Sequence, residues 1–169
     1  MFYEINLYEP KLFRDTTVES RYPTENNAFG SVAFLGRTNT YGEQWLYSAI
    51  DISKMPELLD RKILKALWHL PQYTNNDRAI SAFGVSSRFC SFGSTWQNKI
   101  QETERITGSI IQEGYQTLDI TSIITDKDTP YLIQSEGLIL KPKGEDRGFL
   151  TVATGDSCLT PQILEISFR

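Results

Sequence analysis

The chain has one histidine, two cysteines, two methionines and no run of lysine or arginine among its 169 residues. Each shortage removes a class of function. A zinc site needs several histidine or cysteine ligands converging, and a serine-type triad needs a positioned base. His69 sits between Trp68 and Leu70 with no motif neighbour of either kind, so it is expected to be structural. Cys90 and Cys158 form no Cys-x-x-Cys motif. They are expected to be reduced, unreactive thiols packed as small apolar residues. The net charge is -4 and the pI about 5.1. Without a basic stripe, no nucleic-acid partner is expected. No apolar run approaches the roughly 20 residues that span a bilayer, so no membrane partner is expected either. Met1 to Asn6 carry neither a basic nor an apolar signal region, and synthesis in the cytoplasm without a signal peptide is expected. Gly144, Gly148 and Gly155 form no phosphate-binding fingerprint and read as turn glycines.

What is present is apolar material, 40% of residues with 12% aromatic, enough for one folded domain over residues 1–169. Its period is two. Leu46, Ser48, Ile50 and Ile52 fall on one face, with Trp45, Tyr47, Ala49 and Asp51 on the other. Leu64, Ala66, Trp68 and Leu70 share a face that is expected to meet the core, opposite Ile63, Lys65, Leu67 and His69. Leu164, Ile166 and Phe168 alternate with Glu165 and Ser167. Shorter strands are expected at Tyr3–Tyr8, Leu12–Val18, Ser31–Leu35, Ala79–Val85, Gly108–Ile111, Leu138–Lys141 and Phe149–Ala153, separated by polar turns. Two short helices fit, one within Asp51–Leu59 with Ser53 as cap, the other at Asp119–Ile124 with Thr121 or Asp119 as cap and Ile120, Ile123 and Ile124 facing inward.

Chemistry-bearing residues are sparse. Glu102 and Glu104 lie two apart on a strand and share one solvated face, which does not make a hydrolytic pair. Asp126, Asp128, Glu145, Asp146 and Asp156 lack the spacing of a dedicated calcium loop. They read as surface acids; no cofactor is expected, and a structural calcium is the one metal left open. The distinctive residues are aromatic. Trp45, Tyr47, Tyr73 and Tyr115, with Tyr41, are candidates to stack on sugar rings or anchor a protein interface. Core packing is the competing role, and it is the expected one for Trp68.

The order of the segments resembles the DNRLRE domain family, which is related to disaggregatase repeats and to a class of carbohydrate-binding modules. Ser48 to Pro56 (SAIDISKMP) is similar to the family's FDLS-x-LP strand end, and Ile63 to Leu70 to its I-x-x-A-x-L-x-L strand. Ser94 to Asn98 resembles T-W-N-N, Leu118 to Ile124 resembles lDvT-x-lV, and Gly137 to Lys141 resembles yGlllk. Gly155 to Pro161, followed by Leu164 to Ile166, resembles the terminal strand. Pro161 stands one residue out of register, and Tyr131 and Leu132 replace a small polar turn. The resemblance implies an all-β jelly-roll sandwich with one or two short helices; it does not fix a ligand. With no clustered catalytic set, the chain is expected to be non-enzymatic. The first expectation is a surface or decoration component of a phage particle or phage-like assembly, partnered by other protein subunits and located in that released assembly. The alternative is a carbohydrate-binding module that holds a polysaccharide on an aromatic face.

Overall fold

The computed structural model describes residues 2–6, 13–51, 54–74, 77–126, 128–131, 137–143, 148–157 and 160–169, with backbone alone at 2–6, 105 and 106. The strands are β1 (Phe2–Asn6), β2 (Phe13–Glu19), β3 (Val32–Thr38), β4 (Gly42–Ile50), β5 (Ile63–Pro71), β6 (Ile80–Val85), β7 (Glu102–Gln112), β8 (Tyr115–Asp119), β9 (Leu138–Pro142), β10 (Phe149–Ala153) and β11 (Ile163–Phe168). The helices are α1 (Pro56–Leu59) and α2 (Thr121–Ile124). The all-β expectation holds. Among the described residues no helix is long and apolar enough to cross a membrane.

All strand pairs are antiparallel, and they form one curled sheet in the order β1-β11-β5-β8-β7-β6-β9-β4-β3-β10, with β2 on β4. The long strand β7 makes the curl. Its first half pairs with β6 and its second half, from Ser109, pairs with β8. The two halves close on one core. Trp68, Leu70, Leu164 and Ile166 from the β5–β11 side meet Leu35, Leu46, Ile80 and Leu140 from the other. Phe13 meets the Trp68 ring edge-on at 5.9 Å. Ile120, Ile123 and Ile124 are buried, as the helical spacing predicted. Asp119 Oδ1 accepts from the Thr121 backbone N–H at 3.1 Å, closing the turn into α2. Ser53 lies outside the described residues.

Two expectations about faces change. In β5, Ala66, Trp68 and Leu70 are buried as expected, but Leu64 is 59% exposed and Ile63 is buried in its place. The pairing with β11 slips between Ser167 and Phe168, so that Phe168 sits opposite Ile63. That bulge supplies one extra residue and turns Leu64 outward. In β4 both faces are covered. Tyr47 and Ala49 join Val18, Val85, Phe89 and Ile139 in a second apolar cluster, with Trp45, Trp96 and Ile100 packed against it. Residues 86–101, between β6 and β7, supply Phe89, Trp96 and Ile100 and lie over that face.

Gly36 marks where β3 leaves β4 for β10. Its φ is +122°, and a Cβ there would meet the Gly148 carbonyl oxygen at 2.3 Å, so no side chain fits.

These contacts set a contrast for mutagenesis. Trp68→Ala removes the largest fully buried side chain and is expected to cost about 3–5 kcal/mol. Leu64→Ala is expected to cost under about 1 kcal/mol. Urea titrations of both variants check the bulge; equal losses would restore the unbroken register.

Candidate functional site

The five aromatic candidates do not converge. Tyr41 is half-buried and stacks on Phe34, with centroids 5.6 Å apart. Tyr47 is fully buried, and its hydroxyl donates to the Ile100 carbonyl at 3.4 Å. It is a core residue and presents no ring to a ligand. Trp45 is half-buried, 4.7 Å from Trp96 between ring centroids, and its Nε1 donates to Glu43 at 2.8 Å. Lys141 Nζ lies 3.8 Å from the Trp45 centroid, and Lys99 Nζ lies 3.9 Å from that of Trp96. These rings are occupied by their own chain's ammonium groups, which fasten segment 86–101 to the sheet. Tyr73 is exposed at the β10 edge, its hydroxyl bonded to Ser157 at 2.9 Å and to Thr160. Tyr115 stands edge-on to His69 on the outer face of the opposite half. There His69 Nδ1 meets Thr117 Oγ1 at 2.9 Å and Nε2 lies 3.4 Å from Glu165, in a shallow groove of about 260 Å³.

The acids expected on the surface divide. Asp126 accepts from the backbone N–H of Asp128 at 2.8 Å and of Thr129 at 3.1 Å, so it closes its own turn. Glu102 pairs with Lys141. Glu145 and Asp146 lie outside the described residues. Among the described residues no three His, Cys, Asp or Glu side chains gather as a metal site. Asp156 lines a cavity.

That cavity is a cleft of about 360 Å³ beside β2, lined by Arg14, Asp15, Phe29, Ser91, Phe92 and Asp156 among others. Three segments meet there. Phe29 comes from the β2–β3 connection, Phe92 from segment 86–101, and Asp156 from the β10–β11 turn. Phe29 is 78% exposed and Phe92 69%, with centroids 5.4 Å apart and planes at 45°. Asn26 holds the first two segments in place. Its Nδ2 donates to the carbonyls of Ser91 at 2.8 Å and Ser94 at 2.7 Å, and lies 3.0 Å from Thr16 Oγ1.

Asp15 holds the third. It is 6% exposed, and its Oδ2 accepts from the Gly155 N–H at 2.7 Å. The turn comes this close because residue 155 is glycine; a Cβ would strike the Phe13 ring at 2.5 Å. Burial pushes the Asp15 carboxyl up to about 7, the Gly155 bond opposes this, and the neighbouring Asp156 charge adds to it. Asp156 is itself raised by desolvation. Glu19, buried further along β2, is raised by desolvation against bonds from Asn27 and Gln44.

Neither Phe29 nor Phe92 was a candidate on sequence grounds. The available signal was a phenylalanine followed by glycine inside a polar turn, present twice, as Phe29-Gly30 and Phe92-Gly93. Cys90, beside the cleft segment, is an exposed free thiol, which corrects the expectation that it packs as an apolar residue. The turn at 90–94 faces it outward, with the Cys90 N–H donating to Ser94 Oγ at 3.1 Å and the Ser94 N–H to the Cys90 carbonyl at 2.8 Å. Cys158 lies outside the described residues. The chain matches no protein-family model and no curated protein.

Two tests follow from this geometry. A carboxyl raised on folding is favoured by protonation. Above about pH 7 the Asp15 cost is fully present, and stability rises as pH falls from 7 toward the ordinary value of 3.8. At about 1.36 kcal/mol per pH unit the gain is on the order of 4 kcal/mol. Asp15→Asn keeps an acceptor for Gly155 and is expected to flatten this dependence, with urea midpoints from pH 8 to 5 as the measurement. Iodoacetamide is expected to label Cys90 in the native protein, read by peptide mapping; protection of that peptide would place the thiol inside.

Proposed function

We propose that the protein is a non-catalytic binding module that holds a saccharide in the Phe29–Phe92 cleft. The observation that carries this reading is the pair of exposed phenyl rings at the mouth of a cleft with carboxyl groups in its wall. The C–H faces of a sugar ring stack on aromatic rings, and its hydroxyls need polar partners such as Asp156 and Ser91 in the cleft wall. A volume of about 360 Å³ suits one or two sugar units. The resemblance to the DNRLRE family and its carbohydrate-binding relatives supports the same reading.

The site is assigned binding and not hydrolysis because the Asp15 carboxyl is engaged by a backbone N–H beneath the surface, where it serves the fold. A second reading, a surface component of a phage-like assembly, draws on a different feature. The outer face of β5 and β7 leaves Leu64 and Ile110 exposed, while the outer face of β4 is covered. The cleft favours the saccharide over this, reversing the order expected from sequence.

Affinity electrophoresis through hydroxyethylcellulose, soluble starch, glycol chitin and glycol chitosan tests the reading. At least one polymer is expected to retard the protein. Phe29→Ala and Phe92→Ala are each expected to cost about 1 kcal/mol, roughly five-fold in Kd, without lowering the melting temperature. Trp45→Ala is expected to leave retardation unchanged, because that ring faces lysines. No retardation by any polymer, together with elution as a defined oligomer, would favour the assembly reading.

A further inference from the structure

We infer that the ligand of this cleft carries an organic ammonium group, in a saccharide an amino sugar; the inference rests on the saccharide reading above and specifies its chemistry. Two independent features of the cleft point to a cation. The first is aromatic. Phe29 and Phe92 both line the cleft and are exposed, with centroids 5.4 Å apart, and phenyl faces carry negative electrostatic potential that attracts cations. The second is the carboxyl pair. Asp15 and Asp156 line the same cleft, and the Gly155 N–H joins Asp15 to the turn that carries Asp156. Each is disfavoured as an anion by burial, and Asp156 adds repulsion to Asp15. A neutral sugar leaves that repulsion in place; an ammonium group offsets it and draws both carboxyls toward the ionised form.

The charged groups around the pair agree with this assignment. Arg14 also lines the cleft, but its guanidinium lies over the Phe89 ring, 5.3 Å from the centroid. Phe89 belongs to the cluster on the covered outer face, on the opposite side of β2 from Asp15. A hard metal ion suits the site poorly. It takes 6–8 oxygen ligands in the case of calcium, whereas the described cleft lining offers two carboxyls, one of them already bonded to Gly155, the Ser91 hydroxyl, and phenyl rings that have no lone pairs. An alkylammonium uses both kinds of group at once.

Glucosamine tetramer and N-acetylglucosamine tetramer share a backbone and differ in charge, so they separate shape from charge. Isothermal titration of the whole protein at about pH 6 is expected to give at least ten-fold tighter binding for the glucosamine tetramer, with tetramethylammonium chloride competing. Asp156→Asn is expected to remove most of that preference while sparing the N-acetylated ligand. Phe92→Ala is expected to weaken both. Equal or tighter binding of the N-acetylated tetramer overturns the cation requirement and leaves the saccharide reading standing. Binding of neither tetramer, with no retardation in the polysaccharide gels, overturns both.

Discussion

A sheet that curls back on itself must break its own hydrogen-bond ladder, and every break leaves backbone N–H groups that a buried environment cannot leave unpaired. The fold depends on how side chains meet that constraint. Where β3 departs from β4, Gln44 Oε1 accepts the Phe34 N–H at 2.5 Å. Where β8 ends beside β5, Thr121 Oγ1 accepts the Ala66 N–H at 2.8 Å. Beside the turn of β7 from one half to the other, Ser109 Oγ accepts the Ile80 N–H at 2.8 Å and donates to Gln116. Thr74 Oγ1 does the same for Thr151 at the β10 edge, at 3.0 Å. Asp15 belongs to this series, as the acceptor for Gly155.

That membership explains why a carboxyl is buried at a cost to stability. Gln44 is oriented by Glu19, to which its Nε2 donates at 2.6 Å, so two acids on β2 secure the margins of the sheet. Both are raised by desolvation, and both trade folding free energy for the position of a loop. In Asp15 the trade has a second product. Drawing the β10–β11 turn onto β2 creates one wall of the cleft and places Asp156 in it.

The strands were legible where burial and alternation coincide. Phe149–Ala153 was bounded as observed, and most other strands within a few residues. β8 was invisible to this rule because its core-facing positions are Gln116 and Leu118. A buried glutamine that bonds Gln72, Arg78 and Ser109 looks like a solvated one in sequence. The first half of β7, beginning Glu102-Thr103-Glu104, has no apolar period at all; β6 recruits it by backbone pairing. Tyr47 was misplaced for a related reason. Its alternation defines a face correctly, but only the distant segment 86–101 decides whether that face meets solvent or Phe89.

The cleft was the least legible element, and its construction shows why. Periodicity reports on residues that repeat toward one surface, whereas Phe29, Phe92 and Asp156 each come from a different connection and share no period. They are brought together by two polar anchors, Asn26 across to the carbonyls of 91 and 94 and Asp15 across to Gly155. Asp15 lies on β2, the strand that hangs from β4 outside the main path of the sheet, and Asn26 lies in the connection from β2 to β3. Among the described residues β4 is the one strand partner of β2; on the other edge a single bridge joins Thr17 to Asn27, and there side chains can gather loops without disturbing a ladder. The cleft is therefore a product of the strand arrangement: an edge that a sheet must shield from promiscuous pairing is shielded here by loops whose exposed rings line the cleft.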